Sequence, residues 1–547
     1  MVGLFLVDNN DSNYLALAAG GSAGYIVDWG DGVIESKASN AVAQHLYVYA
    51  SINASTEYQI ADDTVRQVII TITPQAGGTL TSVDINKKHG MVNLQSLTNV
   101  LWVDFAINGP NLTNISIGKL TPEVTIMDLE SIYVGVNNIS SWMLSFSTLK
   151  GLKHVDIDAS KATLMAHTFS NCATLKTVKI HNTTKLTDTT NMFTNCYSLL
   201  TIPPLCLSAA STCSGMFTGC ASLQYIPPLD TRNVTTFSNM FNGCTSLREF
   251  PNLIMSNPTA TFDSMFVNCA SLAAVPSLSI TNVASGGIAS MFSGCTSLVS
   301  VGQINIAGSI LVSLASMFSG CTSLIVPPLF SGGFAISNTT STFQNCKSLV
   351  SIPTFSVTLS ACTAFDSMFS GCSSLIKIPT LDTTSALTTT NMFYGCTSLV
   401  EIPNLITSKV TNMANMFNGC GSLLSLPPLD YSKVQNLNNT YQGCRSLNYI
   451  PNLSSITNAL TQIGSTFLDC YSLSDIDLFD TSNVTAMNST FQNCVSLKSV
   501  PLFNTSNCVS MATTFNGCES LIKIPFFNTV KCTSFSFTFN GCKSLTY

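Results

Sequence analysis

Residues 216–235 read Met216-Phe217-Thr218-Gly219-Cys220-Ala221-Ser222-Leu223-Gln224-Tyr225-Ile226-Pro227-Pro228-Leu229-Asp230-Thr231-Arg232-Asn233-Val234-Thr235. The core of this stretch is Phe, any residue, Gly or Asn, Cys, any residue, Ser, Leu. It recurs sixteen times between Phe169 and Leu545, with single departures such as Tyr441 for Phe and Asp469 for Gly. Its cysteines run from Cys172 to Cys542 at spacings of 24 to 26 residues. A fixed period in this range predicts a solenoid, in which each coil buries its apolar side only against the next coil.

Each place in the repeat carries a physical requirement. Phe three residues before the cysteine and Leu three after it are core places, as in Phe241, Cys244 and Leu247 or Phe417, Cys420 and Leu423. The residue just before the cysteine is Gly, Asn or Asp, residues that tolerate a positive φ, so Asn239-Met240-Phe241 is expected to form a short helical turn closed by a left-handed Gly243. After the cysteine, segments such as Leu223 to Ile226 and Leu399 to Ile402 read as short strands. Pro203, Pro227, Pro379, Pro403, Pro451 and Pro525 follow the Ile. Because Pro cannot donate to a ladder, it should mark where pairing stops.

The unit from Met216 to Thr235 resembles the BspA-type leucine-rich repeat of bacterial surface proteins. That resemblance implies a non-catalytic binding scaffold of the kind found in adhesins, surface lipoproteins and virus-borne proteins. Ahead of the array, Asp28-Trp29-Gly30-Asp31-Gly32, His45, Tyr47 and the alternating run Val68 to Thr73 resemble a PKD-type β-sandwich, a small immunoglobulin-like domain. The glycine usual after the tyrosine is replaced by Ala50-Ser51, which predicts a distorted loop. Asp28 and Asp31 can cap the turn that Gly30 and Gly32 permit, with Trp29 packed inward.

The expected fold is therefore a mainly β repeat protein. A leucine-rich-repeat-type solenoid with a parallel sheet and short helical turns follows an immunoglobulin-like (PKD-like) β-sandwich. The expected divisions are 1–78 for the sandwich, 79–168 for degenerate capping coils, and 169–547 for the sixteen Cys-marked repeats. In the cap the strand phrase recurs without cysteine at Leu80 to Ile85, Leu112 to Ile117 and Leu152 to Ile157. The chain stops inside a strand phrase at Leu545-Thr546-Tyr547. The expectation is that the natural chain continues or that a partner covers the end.

Composition narrows the function classes. Charged residues are 9% of the chain and the net charge is −6, so the basic stripe needed for phosphate backbones is missing and nucleic acid is not an expected partner. With 46% apolar residues the chain is not of a disordered class. No apolar run reaches the length of a membrane span. Met1 to Asp8 has no basic segment and too short an apolar stretch for a signal peptide. Of twenty-one cysteines, sixteen sit one per coil and are expected to be small buried hydrophobes. The other five, Cys206, Cys213, Cys362, Cys508 and Cys532, show no pattern in sequence.

No cofactor, metal or catalytic residue is expected, and the chain does not read as an enzyme. His154, His167 and His181 fit no metal-ligand spacing and are expected at the surface. Asp8 to Asn13 lacks the Gly and Glu of a calcium loop and is expected to be a turn. The candidate ligand-facing residues are the outward strand places: Gln224, Tyr225, Arg248, Glu249, Lys377, Glu401, Asn448, Tyr449, Lys498 and Lys523. The alternative is a solvated sheet surface. Reduced thiols and the missing signal point to a cytosol, whereas both resemblances point outward. The reading that joins them is a phage virion surface component (tail fibre, baseplate or capsid-surface protein), made in the host cytoplasm. It would meet other virion proteins at one end and host-surface glycan or protein on the solenoid face. The alternatives are a bacterial cell-surface adhesin whose signal sequence is absent from this chain, and a cytosolic protein–protein interaction scaffold. A lateral or end-to-end homo-oligomer is compatible with each.

Overall fold

A computed structural model describes residues 1–9, 13–52, 65–91, 101–117, 129–147, 149–254, 260–281, 287–308 and 311–546. The chain forms two compact units, Met1–Asn257 and Pro258–Tyr547. Both are built of β structure and turns.

In the first unit the strands are β1 (Val2–Asp8), β2 (Tyr14–Gly21), β3 (Tyr25–Asp28), β4 (Ile34–Lys37), β5 (Val42–Leu46), β6 (Val65–Pro74), β7 (Leu80–Asp84), β8 (Trp102–Ile107), β9 (Asn114–Ser116), β10 (Ser131–Val134), β11 (His154–Asp158) and β12 (Thr177–His181). One eight-stranded sheet has the order β12-β11-β10-β8-β1-β6-β3-β4, and a second has the order β5-β2-β7-β9. The N-terminal strands pair antiparallel, while β8-β10-β11-β12 and β7-β9 pair parallel. The coils thus extend the sandwich sheets directly. Gly3 is required at the junction, because a Cβ there would lie 2.2 Å from the Trp102 ring.

The turn at Trp29 has the expected geometry. Gly30 and Gly32 adopt φ of 77° and 96°. The Asp28 carboxylate accepts from Gly30 N at 2.9 Å, and that of Asp31 from Val33 N at 3.1 Å. Trp29 is fully buried and stacks on His45 with centroids 5.0 Å apart. His45 Nε2 lies 2.7 Å from Asp31 Oδ2, and Tyr47 donates its hydroxyl to Trp29 O at 2.7 Å. Tyr49–Ser51 is a single 3-10 turn where the resemblance expects glycine. The turn expected at Asp8 to Asn13 is tied by Asp8 N to Asn13 Oδ1 and Asn13 Nδ2 to Asp8 O, both at 2.8 Å, with residues 10–12 outside the described residues.

Within the array the residue before each repeat cysteine is left-handed in all sixteen coils, from Asn171 (φ 64°) to Gly541 (φ 75°). A second left-handed place, five residues before the cysteine, was not anticipated. It is mostly Asn or Ser, as in Asn239 (φ 59°) and Ser367 (φ 54°). The two places make the backbone N–H groups alternate. In one coil Cys213, Gly215, Phe217 and Gly219 donate to Thr236, Ser238, Met240 and Asn242 of the next, at 2.7 to 2.9 Å. Met216, Thr218 and Cys220 donate back three residues, at 3.0 to 3.2 Å. The principal backbone ladder between coils therefore runs through the turn. This corrects the expectation of strands at Leu223 to Ile226 and Leu399 to Ile402, where single bonds such as Leu424 N to Val400 O (3.0 Å) replace a ladder. Proline removes the donor that a longer strand would need. Segments without it, such as His154–Asp158 ahead of the repeats and Thr177–His181 in the first repeat, keep five-residue strands.

Phenylalanine rings stack in columns. Phe146, Phe169, Phe193, Phe217 and Phe241 follow one another at 5.3 to 5.6 Å in the first unit. In the second, Phe393, Phe417 and Tyr441 are spaced 5.5 and 5.7 Å apart. Tyr441 fits the column because its hydroxyl meets the hydroxyl of Tyr431 at 2.5 Å, both side chains being fully buried. Tyr431 stands where other coils have Thr231 or Thr383. Tyr441→Phe restores the usual residue yet leaves the Tyr431 hydroxyl unpaired, so it is expected to lower stability by about 1–3 kcal/mol. The pair Tyr431→Phe with Tyr441→Phe should recover part of that loss. Urea midpoints of the three variants check it, and an unchanged midpoint in Tyr441→Phe would contradict it.

All twenty-one cysteines are free. The repeat thiols donate to the carbonyl of the phenylalanine one coil back, for example Cys220 to Phe193 O at 3.1 Å and Cys420 to Phe393 O at 3.1 Å. They are thus buried donors as well as small apolar groups. Three of the other five cysteines do have a pattern. Cys362, Cys508 and Cys532 each lie ten residues before a repeat cysteine, the core place filled by Val234 or Val410 in other coils, and each donates to the carbonyl two residues on. The last coil leaves Phe526, Val530 and Phe537 exposed.

Candidate functional site

The outward face of the eight-stranded sheet in the first unit forms an open groove of about 860 Å³. Alternation along the strands turns every second residue outward, and the register sets these residues in two rows. One row runs Ile69, Leu4, Asp104, Ser131, His154, Thr177, and the other Thr71, Val2, Ala106, Tyr133, Asp156, Lys179. The inward residues Phe5, Val68, Phe105, Ile132 and Val155 are buried and hold the face rigid.

The rows change character across the sheet. Ile69 and Val2 give an exposed aliphatic end, Tyr133 stands at the middle 48% exposed, and the far end is charged. There the Asp156 carboxylate lies 2.9 Å from His181 Nε2 and 3.9 Å from Lys179 Nζ. His154 Nδ1 and Thr177 Oγ1 are 2.7 Å apart. His154 and His181 are exposed, as expected from sequence; His167 sits in a turn with φ 55°. Among the described residues, no three His, Cys, Asp or Glu groups are placed to hold a metal ion. The groove has a flat apolar and aromatic floor beside a carboxylate, an imidazole and an ammonium group. That combination suits stacking and hydrogen bonding of a bound partner.

The ten residues singled out from sequence are all exposed. Gln224, Tyr225, Arg248 and Glu249 lie in the first unit, where Arg248 N approaches Gln224 O at 3.4 Å. Lys377, Glu401, Asn448, Tyr449, Lys498 and Lys523 lie in the second. There Tyr449 donates to Asp477 Oδ2 at 2.8 Å, and this bond raises the Tyr449 pKa. None of the ten lines the groove. The ten lie four or five residues after a repeat cysteine, beginning with Gln224 and Tyr225, and Thr177, which does line the groove, is the equivalent of Tyr225 two coils earlier.

The core thiols are unsuited to nucleophilic chemistry. Burial pushes Cys295 and Cys372 up to about 12 and Cys396 and Cys420 well above the usual thiol range. Among the described residues no helix is long and apolar enough to cross a membrane.

The profile of a family described as "Mycoplasma protein of unknown function, DUF285" matches residues 211–327, 337–455 and 461–547. That of the BspA type leucine rich repeat region matches residues 127–248 in six copies. No curated protein matches the chain. Among solved structures, a leucine-rich repeat protein from Eubacterium ventriosum is similar at 14% identity over 57% of this chain and 87% of its own, with a TM-score of 0.35. A leucine rich cell surface protein from Faecalibacterium prausnitzii is similar at 17% identity over 86% of this chain and 89% of its own, with a TM-score of 0.20.

Proposed function

Since the chain belongs to the family described as Mycoplasma protein of unknown function, DUF285, its function has to be read from its own surfaces, and we propose that it is a non-catalytic binding protein displayed at a bacterial surface. In this reading the outward face of the eight-stranded sheet receives a glycan or protein of a host surface. The observation that carries it is the groove itself, an aliphatic floor with Tyr133 at its centre and Asp156, His154 and Lys179 along one side. The BspA-type match over residues 127–248 includes β10, β11 and β12, which supply that polar side.

The state of the thiols removes the objection to a cell-surface setting. Reduced cysteines suggested folding and residence in a cytosol. Burial removes that argument for the repeat core, because the thiolate is the species that oxidises and exchanges, and thiols such as Cys396 and Cys420 are buried and pushed well above ordinary thiol values. They are compatible with an oxidising exterior. The N-terminal β-rich domain, read as PKD-like from its Trp29 turn, fits the same outward-facing role.

The test has two arms. The full chain is applied to arrays of host-surface glycans and proteins together with Tyr133→Ala and Asp156→Ala, both at exposed or half-exposed places. Each variant is expected to weaken capture by at least about tenfold, with Lys523→Ala unchanged. Capture that survives both groove variants but falls with Lys523→Ala would move the site to the second unit. In the other arm, antibody against the chain is expected to label intact cells of the source. Label confined to released virus particles would restore the virion setting.

A further inference from the structure

Four residues after the repeat cysteine, six successive coils of the second unit carry Val299, Ile325, Val350, Ile376, Val400 and Leu424. Ile325 and Leu424 are 52% and 56% exposed, Val299, Val350 and Ile376 are also exposed, and Val400 is half-buried. Backbone bonds hold most of them in line: Ile325 N to Val299 O at 2.9 Å, Ile376 N to Val350 O at 3.0 Å, Val400 N to Ile376 O at 3.1 Å and Leu424 N to Val400 O at 3.0 Å. In the coils that follow, the same place is Asn448, Ser474 and Lys498. The place therefore tolerates polar residues, and the aliphatic run is local. At a coil spacing of about 4.8 Å it makes an apolar ribbon about 24 Å long facing water.

The adjacent place, five residues after the cysteine, reads Val326, Ser351, Lys377, Glu401, Ser425, Tyr449 along the six coils from Cys321 to Cys444. This order is a palindrome in chemistry: apolar, Ser, cation, anion, Ser, apolar. Neither Lys377 nor Glu401 is among the ion pairs of the described residues. A surface is self-complementary under a twofold axis when each residue meets its own counterpart across that axis.

We propose that this ribbon is the contact surface for a second copy of the chain, related by a twofold axis that passes between the coils of Cys372 and Cys396. The two copies run antiparallel along the stack. Lys377 then faces Glu401 of the second copy, and Glu401 faces its Lys377. Ile376 meets Val400, Val350 meets Leu424, and Val326 meets the ring of Tyr449, so the apolar contact is the part of the ribbon from Val350 to Leu424, while Ile325 and Val299 fall opposite Asn448 and Ser474 toward its ends. One residue after the cysteine, Lys347 falls opposite Gly421 and Arg445 opposite Thr322, so no like charges meet there. The charge pairs at the centre fix the register, and the aliphatic rows supply the apolar contact.

Sedimentation of the full chain over a concentration series tests this. The wild type is expected to be a dimer, and Ile376→Asp a monomer. Lys377→Glu and Glu401→Lys each place like charges across the axis and are expected to raise the dissociation constant at least about tenfold. The combination of the two restores opposite charges and should restore the dimer, which a general loss of stability would not do. Circular dichroism of each variant confirms that it is folded. A wild type that stays monomeric to on the order of 100 μM, as it would if the ribbon served a lipid surface or a foreign peptide, overturns the proposal. So does a dimer indifferent to Ile376→Asp, or a charge swap that fails to rescue.

Discussion

Between pH 9 and 12 the repeat array is expected to unfold steeply, because its native state holds thiol protons that the unfolded chain gives up. Cys213, Cys295, Cys372 and Cys518 are pushed up to about 12, in each case chiefly by burial. Cys321, Cys346, Cys444, Cys470 and Cys494 are raised well above the usual range for the same reason. In the unfolded chain these thiols ionise near their ordinary values. Above that point the unfolded state binds fewer protons than the native one, so stability falls as pH rises. The stabilisation is fully present below the unfolded pKa and is lost as pH climbs toward the folded one. Each thiol costs about 1.4 kcal/mol per pH unit in that window, so the four raised to about 12 alone cost about 5–6 kcal/mol per unit, and the other five add to this. Domain stabilities are of the order of 5–15 kcal/mol, so the transition is expected no later than about pH 10 to 11. Far-ultraviolet circular dichroism and thiolate absorbance should change with one midpoint. Thiolate absorbance that rises at an ordinary thiol pKa while the dichroism stays constant would show that the thiols are open to solvent, contrary to their burial.

The substitution with the largest expected effect is Phe417→Ala. The ring is fully buried, 5.5 Å from Phe393 and 5.7 Å from Tyr441. Its removal costs the transfer of the ring and the cavity left behind, about 3–5 kcal/mol. The two stacking contacts add about 0.5–1.5 kcal/mol each. In an array where each coil touches only its neighbours, the loss falls on two interfaces and opens the stack locally before it unfolds as a whole. The affected amides are identifiable. Phe417 N donates to Thr440 O at 2.9 Å and Gly419 N to Gln442 O at 2.7 Å. Hydrogen exchange at residues 415–419 is expected to accelerate strongly, with amides near Phe515 little changed. Uniform acceleration along the whole second unit would mean that the coils do not behave as nearest-neighbour units.

Much of this architecture follows from the chain's own periodicity. The spacing of Phe, Cys and Leu places one buried side chain of each kind in every coil, and the residue before the cysteine has to be Gly, Asn or Asp because the backbone there is left-handed. The turn at Asp28 to Gly32 is similarly local. Its carboxylates cap amides two residues away, so sequence neighbours suffice to define it. The second left-handed place at Asn239 or Ser367 was hidden because Asn and Ser are common in any turn. The position of the ladder was hidden because it depends on which amides face the neighbouring coil, a property of stacking and not of one repeat.

Side-chain neighbourhoods set by register lay further out of reach. Leu4, Ile69, Asp104 and His154 share one row of the sheet although up to 150 residues separate them. The antiparallel sandwich passing into the parallel coils between β1 and β8 is what brings them together. No local pattern encodes that junction. The period of the sequence determined a solenoid of buried Phe, Cys and Leu; only the pairing of strands distant in the chain decided where its surface forms a groove, because register is a long-range relation fixed by how whole sheets bury their apolar faces.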